Sequence, residues 1–192
     1  MSFYEADELE ALGLRQVGRG VKISRKASIY GAERIEIGDH SRVDDFCILS
    51  AGEGASFRIG AHVHVACHTT LIGRADITLE TFANLSSRVS LYSSSDDFSG
   101  AAMTNPTVPA EFTNVISAPV VIGRHVVVGC GSVVLPGVTI AYGCAIGALS
   151  LVSQSTEPCG IYAGAPLRRL KDRARDFEDA EARLRAAALE GR

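Results

Sequence analysis

Between Val120 and Val152 the aliphatic residues Ile122, Val128, Val134, Ile140, Ile146 and Val152 follow one another at intervals of six, without a slip. Two positions before each stands Val120, Val126, Ser132, Val138, Cys144 or Ser150, all small or β-branched. Gly123, Gly129 and Gly147 follow three of the six aliphatics directly. A strict period of six fits neither an amphipathic helix nor an alternating strand. It predicts a solenoid whose short strands turn every six residues. The aliphatic side chain points into a narrow core, the small residue fills the corner, and glycine tolerates the tight bend.

The residues that carry this repeat also carry a resemblance. Val121-Ile-Gly-Arg-His-Val-Val-Val-Gly-Cys-Gly-Ser-Val-Val-Leu-Pro-Gly-Val-Thr-Ile140, Ala145-Ile-Gly-Ala148 and Tyr162-Ala-Gly-Ala-Pro166 are similar to the C-terminal block of galactoside, maltose and serine acetyltransferases. The chain thus resembles the hexapeptide-repeat acyltransferases, whose fold is a left-handed parallel β-helix. The left hand is an implication of that resemblance. Periodicity does not give it, and the handedness rule for parallel crossovers argues the other way.

Composition agrees with one domain of this type. The chain has 192 residues, of which 46% are hydrophobic and 19 are glycine, as a Gly-turned solenoid requires. A net charge of −3 gives no basic footprint for nucleic acid. Five cysteines, odd in number and never in a CxxC spacing, read as reduced thiols of a cytoplasmic protein. The acidic N-terminus lacks an apolar signal core, and no apolar run reaches membrane-spanning length.

In chain order, Tyr4 to Leu12 is expected to form a short helix capped by Ser2, stopped at Gly13, and closing the open end of the solenoid. The β-helix is expected over residues 15–165. Val17, Ile23, Ile29 and Ile35 set the beat. It slips to Ile37, pauses over Ala51–Arg58, and slips again at Leu79. Slips of two residues read as corner insertions. From Ser93 to Ala118 (93–118) the beat is absent, and two prolines with mixed polar and aromatic residues argue for an ordered excursion. In related acetyltransferases such an excursion reaches the neighbouring subunit. A C-terminal helix is expected over 166–192, running from Pro166 to about Leu189, with Leu170, Ala174, Phe177, Leu184 and Ala188 on one stripe. Its first turns carry Arg168, Arg169, Lys171, Arg173 and Arg175, either a solvated face or a phosphate clamp.

Acyl transfer from a thioester needs deprotonation of the acceptor, stabilisation of an oxyanion and alignment of the coenzyme arm. Histidine is the default base. In the relatives the base is a histidine on the strand that leads into the excursion, but the corresponding position here is Asp96. The segments Tyr92-Ser-Ser-Ser-Asp-Asp-Phe-Ser-Gly100 and Met103-Thr-Asn-Pro-Thr-Val-Pro109 are similar to a narrower subgroup. Its members acetylate nucleotide-linked amino sugars, notably dTDP-4-amino-4,6-dideoxyglucose, in O-antigen synthesis. Asp96 and Asp97 therefore have two readings: turn residues that bond their own backbone, or a carboxylate that binds the ammonium of the acceptor and helps take its proton. His125 and His64, outward on coils that flank the excursion, are either surface residues or members of a site shared across a subunit boundary. The resemblance adds Asn84, Tyr92 and Asn105 to His64 as substrate-binding candidates. It places Cys130, Ala148 and Ser153 along the pantetheine groove, and Arg168 and Lys171 near the phosphates of coenzyme A, which basic side chains suit. His62, His64 and His68 lack the spacing of the metal-binding carbonic anhydrases built on the same helix, so no metal is expected.

The reading is an acetyl-CoA-dependent N-acetyltransferase of a nucleotide-linked, dTDP-type amino sugar, a cytoplasmic homotrimer with sites between subunits. Its rivals are a sugar O-acetyltransferase of the galactoside or maltose type, a γ-class carbonic anhydrase-like protein, and a non-catalytic solenoid.

Overall fold

The structure, a computed structural model, describes residues 2–190, the side chains of Leu189 and Glu190 apart. The expected domain limits at residues 1 and 192, and Gly191, lie outside these. Three sheets of parallel strands wind into six full coils, and Gly160–Ala163 adds part of a seventh. On the first face Val17, Ile37, Ile59, Leu79, Ile122 and Ile140 stand in register from coil to coil. On the second, Ile23, Val43, Val65, Leu85, Val128, Ile146 and Tyr162 do so. On the third the column is Ile29, Leu49, Leu71, Leu91, Val134 and Val152. These columns are the core: from Ile23 and Ile37 upward every member is at most 7% exposed, except the half-buried Ile29. The irregular beat is resolved at the corner between the third and first faces, where Ala32–Arg34 makes one 3-10 turn and Gly52–Ser56 loops out.

At the N-terminal end the helix α1 is Ala6–Ala11, shorter than expected. Glu5 and Glu8 form its capping box, and Ser2 does not cap it. The residues before it are claimed by the first coil: Phe3 bridges Ser24, the Tyr4 N–H donates to the Ile23 carbonyl, and Arg25 N–H to that of Ser2. Gly13 stops the chain at φ +70°, and Leu9 enters the core.

Residues 93–118 form an ordered excursion. Ser94–Ser95 pairs antiparallel with Ile116–Ser117, and the Ala118 N–H closes on the Ser93 carbonyl at 3.0 Å. Above this root lie a 3-10 turn at Ala110–Phe112 and a bridge between Met103 and Thr113. The stack beneath is unbroken, because Ile77–Leu79 pairs directly with Val120–Ile122.

The C-terminal segment departs from the expectation. Gly164, at φ +102°, turns the chain so that Arg168–Asp172 runs antiparallel along Gly160–Ala163. The last coil would otherwise end in a row of unpaired peptide groups, and the hairpin satisfies them. The helix α2 begins only at Phe177 and runs to Glu190. Leu170 and Ala174 therefore lie outside it, and the expected stripe is broken. Among the described residues no helix is long and apolar enough to cross a membrane.

Candidate functional site

The corners of the coils decide where the candidate side chains go. His40, His62, Phe82 and His125 all have φ between +55° and +66° and stand in one line along the corner between the first and second faces. Their rings stack, with centroids 5.0 Å apart for His40–His62, 5.1 Å for His62–Phe82 and 5.0 Å for Phe82–His125. Phe177 of α2 closes the column, 4.7 Å from His125. His125 is thus enclosed between two rings, with its side chain 10% exposed and its Nε2 2.6 Å from Glu181 Oε2. Burial first, then Arg124 and Arg173, push its pKa below the ordinary histidine value.

The excursion leaves from the opposite end of the coil, at the exit of the third face. Asp96 lies at its root between two clefts and lines both. One cleft, of about 520 Å³, carries Arg74, Asn105 and Thr113. The other, of about 560 Å³, is walled by Tyr92, Phe98, Val133, Leu135 and Pro136. Asp97 behaves differently. It is buried, and its Oδ1 accepts the Ser99 N–H at 2.7 Å in an Asx turn. The Ser99 hydroxyl, then the Ser99 amide, hold its carboxyl below the usual value. Asn105 closes a similar turn on Thr107, at 3.0 Å from the amide and 2.6 Å from the hydroxyl. A third cleft, of about 570 Å³ between α1 and the first coil, holds none of the candidate residues.

His64 and Asn84 are neighbours on the second face, in register on adjacent coils. Asp44, buried, sits 2.9 Å from His64 Nε2 and also accepts from Arg42 Nε at 2.5 Å. Asn84 Oδ1 is 3.2 Å from His64 Nδ1. Both ring nitrogens of His64 thus face oxygens of neighbouring coils. Within one chain this group and Asp96 occupy different faces.

Cys130 and Ala148 lie on adjacent coils at the corner between the second and third faces, where Leu149 N–H donates to the Cys130 carbonyl at 2.9 Å. The coils approach closely there, since a Cβ on Gly129 would lie 2.5 Å from Ala148 N. Ser153 is at the other edge of the third face, beside Pro166 and Leu167 of the hairpin turn. The hairpin holds Arg168 and Lys171. Arg168 pairs with Ala163 and Lys171 with Ile161, and the ladder shifts between Ile161 and Tyr162 so that Leu170 is the extra residue. Ala163 and Ile161 share one side of their strand, so the bulge turns both cations to that same side. Arg169 pairs with Asp172 and Arg175 with Glu178, while Arg168 and Lys171 make no ion pair among the described residues. The structure therefore brings Asp96 together with Tyr92 and Asn105, His64 with Asn84, Cys130 with Ala148, and Arg168 with Lys171. It keeps His125 apart from the two aspartates. Arg74, Asp44 and the wall of Val133, Leu135 and Pro136 had no signal in the repeat beyond its outward positions.

No protein-family model matches the chain. It is 43% identical to dTDP-4-amino-4,6-dideoxy-D-glucose acyltransferase of Escherichia coli over 98% of either chain. It superposes with a TM-score of 0.92 on a variant of AntD, an N-acyltransferase from Bacillus cereus in complex with dTDP-4-amino-4,6-dideoxyglucose and coenzyme A. That match is at 40% identity and covers 97% of this chain and 98% of that one. AntD in complex with dTDP and 3-hydroxybutyryl-CoA matches equally, with a TM-score of 0.92, 40% identity and 98% of both chains. On a resemblance of this identity along the whole length, the chain belongs to the family of the dTDP-4-amino-4,6-dideoxyglucose acyltransferases.

Proposed function

We propose that this protein transfers an acyl group from coenzyme A to the amine of a dTDP-linked 4-amino-4,6-dideoxy sugar. The observation that carries the reading at the site is the place of Asp96, between a cleft with Arg74 and Asn105 and a cleft with apolar walls. A sugar with its ammonium suits the first, and the thioester end of an acyl arm suits the second. Asp96 binds the ammonium, aligns it and takes one of its protons, which leaves a neutral amine as the nucleophile. The amide C–N bond forms, the C–S bond breaks, and the sulfur leaves as thiolate, which takes up the second proton shed by the nitrogen. An amine is a nucleophile once neutral, so a carboxylate with modest basicity is enough. A hydroxyl acceptor requires a stronger base, which favours N- over O-acylation.

Arg168 and Lys171, on one side of the hairpin and without an ion pair among the described residues, are the cations for the phosphates of the coenzyme. Cys130, Ala148 and Ser153 flank its arm. His64 and Asn84 bind the substrate from a neighbouring subunit of a trimer, since one chain holds them on a different face from Asp96.

The test is coenzyme A release across a panel of dTDP- and UDP-linked amino sugars and their hydroxyl counterparts, with acetyl-, butyryl- and 3-hydroxybutyryl-CoA as donors. Release with a dTDP-4-amino sugar and none with the hydroxyl sugars is expected. Turnover of only the hydroxyl sugars would replace the reading by O-acylation.

A further inference from the structure

The strand that bears Arg168 and Lys171 is held to the last coil by backbone pairing along one edge and by no buried side chain of its own. It is the outermost strand of its sheet, and all five of its side chains are exposed. Its leading end is anchored by Leu167, which packs against the core. At its trailing end stands Arg173, and here the anchorage is extensive. The Arg173 N–H donates to the Cys159 carbonyl at 2.8 Å. Its Nη1 reaches three backbone carbonyls of the solenoid, those of His125 at 2.7 Å, Cys144 at 3.0 Å and Gly143 at 3.1 Å. Its guanidinium lies 5.0 Å over the ring of Phe177. Arg173 is thus directed into the fold, whereas Arg168 and Lys171 are exposed.

Phe177 is held in turn. Gly143, at φ +67°, leaves a gap in the ring column, and a Cβ there would come within 3.0 Å of Phe177 Cζ. The ring occupies that gap, tilted against His125. Glu178 accepts from Tyr142 Oη at 2.6 Å, and Glu181 faces both His125 and Arg124. The column that begins at His40 therefore ends by fixing the first turn of α2, and through Phe177 it fixes Arg173.

We propose that Arg173, backed by Phe177 and His125, is a positioning residue for coenzyme binding: it sets the cation pair Arg168 and Lys171 at the height and angle that meet the coenzyme phosphates. The inference rests on the reading of those two residues as the phosphate clamp. An edge strand without buried side chains drifts unless both its ends are fixed, and a pair of cations loses its match to a phosphate when they drift.

Two measurements test it on the full-length protein. The first is amide hydrogen exchange over 168–172 in Arg173→Ala, Arg173→Lys and Phe177→Leu. The second is steady-state kinetics of the same variants beside Arg168→Ala/Lys171→Ala. In Arg173→Ala the strand exchanges faster, KM for the acyl-CoA rises about tenfold, and kcat and KM for the amino sugar stay within about twofold. Phe177→Leu, which keeps an apolar side chain in the gap, gives the same pattern more weakly. Arg173→Lys restores part of the effect, since the ammonium keeps donors for the carbonyls but lacks the planar guanidinium that lies over Phe177. Unchanged exchange over 168–172 in Arg173→Ala overturns the positioning role, and so does an equal rise in KM for both substrates. Faster exchange together with an unchanged KM in Arg168→Ala/Lys171→Ala places the fault in the clamp reading, and the inference falls with it.

Discussion

At the scale of single residues, the neighbours Asp96 and Asp97 divide two roles that their sequence leaves open. Asp97 is tied to Ser99 two residues on, the local bond that Ser-Asp-Asp segments favour. Ser99 holds its carboxyl below the ordinary carboxylate value. Asp96 lines both clefts. Asp96→Asn is expected to lower kcat by about 10²-fold or more, the range for loss of a general base. Asp97→Asn keeps an oxygen for the Ser99 amide and should retain most of the activity. The reverse order in kcat would exchange the two roles. Leu135 and Val133 wall the side of Asp96 assigned to the acyl group, so Leu135→Trp should cut kcat/KM for butyryl-CoA far more than for acetyl-CoA. Equal losses with both donors would take Leu135 off the acyl path. The spacing of the repeat made the inward residues legible, but not which outward residue faces a cleft. Arg74 stands at a corner, and only the fold of residues 93–118 above it makes that corner a wall.

At the scale of elements, the coils were legible because each inward aliphatic has no alternative place in so narrow a core. The C-terminal segment was not. Its spacing of Leu170, Ala174, Phe177 and Leu184 suits a helix, yet the open edge of the last coil takes Arg168–Asp172 as a strand. A nonlocal row of backbone partners overrides helical periodicity there. The histidines show the same limit. Nothing in the spacing ties His40, His62 and His125 together, and the coil geometry brings them into one column with Phe82 and Phe177. This column has a pH signature. Burial, then the charge of His40, lowers the pKa of His62, and burial, then Arg124 and Arg173, lowers that of His125. The folded protein therefore binds fewer protons here than the unfolded chain, whose histidines titrate at about 6.5. Stability from these groups is complete above that pH and is lost as pH falls through the lowered native values. Melting temperatures between about pH 8 and pH 5 should fall toward acid, and His62→Phe, which keeps a ring between His40 and Phe82, should flatten the slope. Parallel slopes for the two proteins would exclude His62 as the source. Gly143→Ala tests its far end, where a Cβ meets Phe177 and the backbone is left-handed. A loss of about 1–3 kcal/mol is expected in denaturant unfolding, and no loss would show that Phe177 does not fill that gap.

At the scale of the whole molecule, the separation of the polar groups makes its own prediction. Asp96, Tyr92 and Asn105 gather where the excursion leaves the third face, whereas Asp44, His64 and Asn84 lie on the second. A rigid prism cannot bring two faces of one chain to one ligand, but a closed ring of three chains sets one face of each against another face of its neighbour. If His64 serves the site that contains Asp96 of the adjacent subunit, then Asp96→Asn and His64→Ala should each be nearly inactive alone. Mixed by co-expression, they should regain activity. A mixed trimer has one junction at which a subunit with intact Asp96 meets one with intact His64, so random assembly from equal amounts restores about a quarter of the sites. Light scattering of the purified mixture checks the trimer, and coenzyme A release per subunit checks the restoration. An active monomer, or a mixture no better than its two components, would return both groups to separate roles on a single chain.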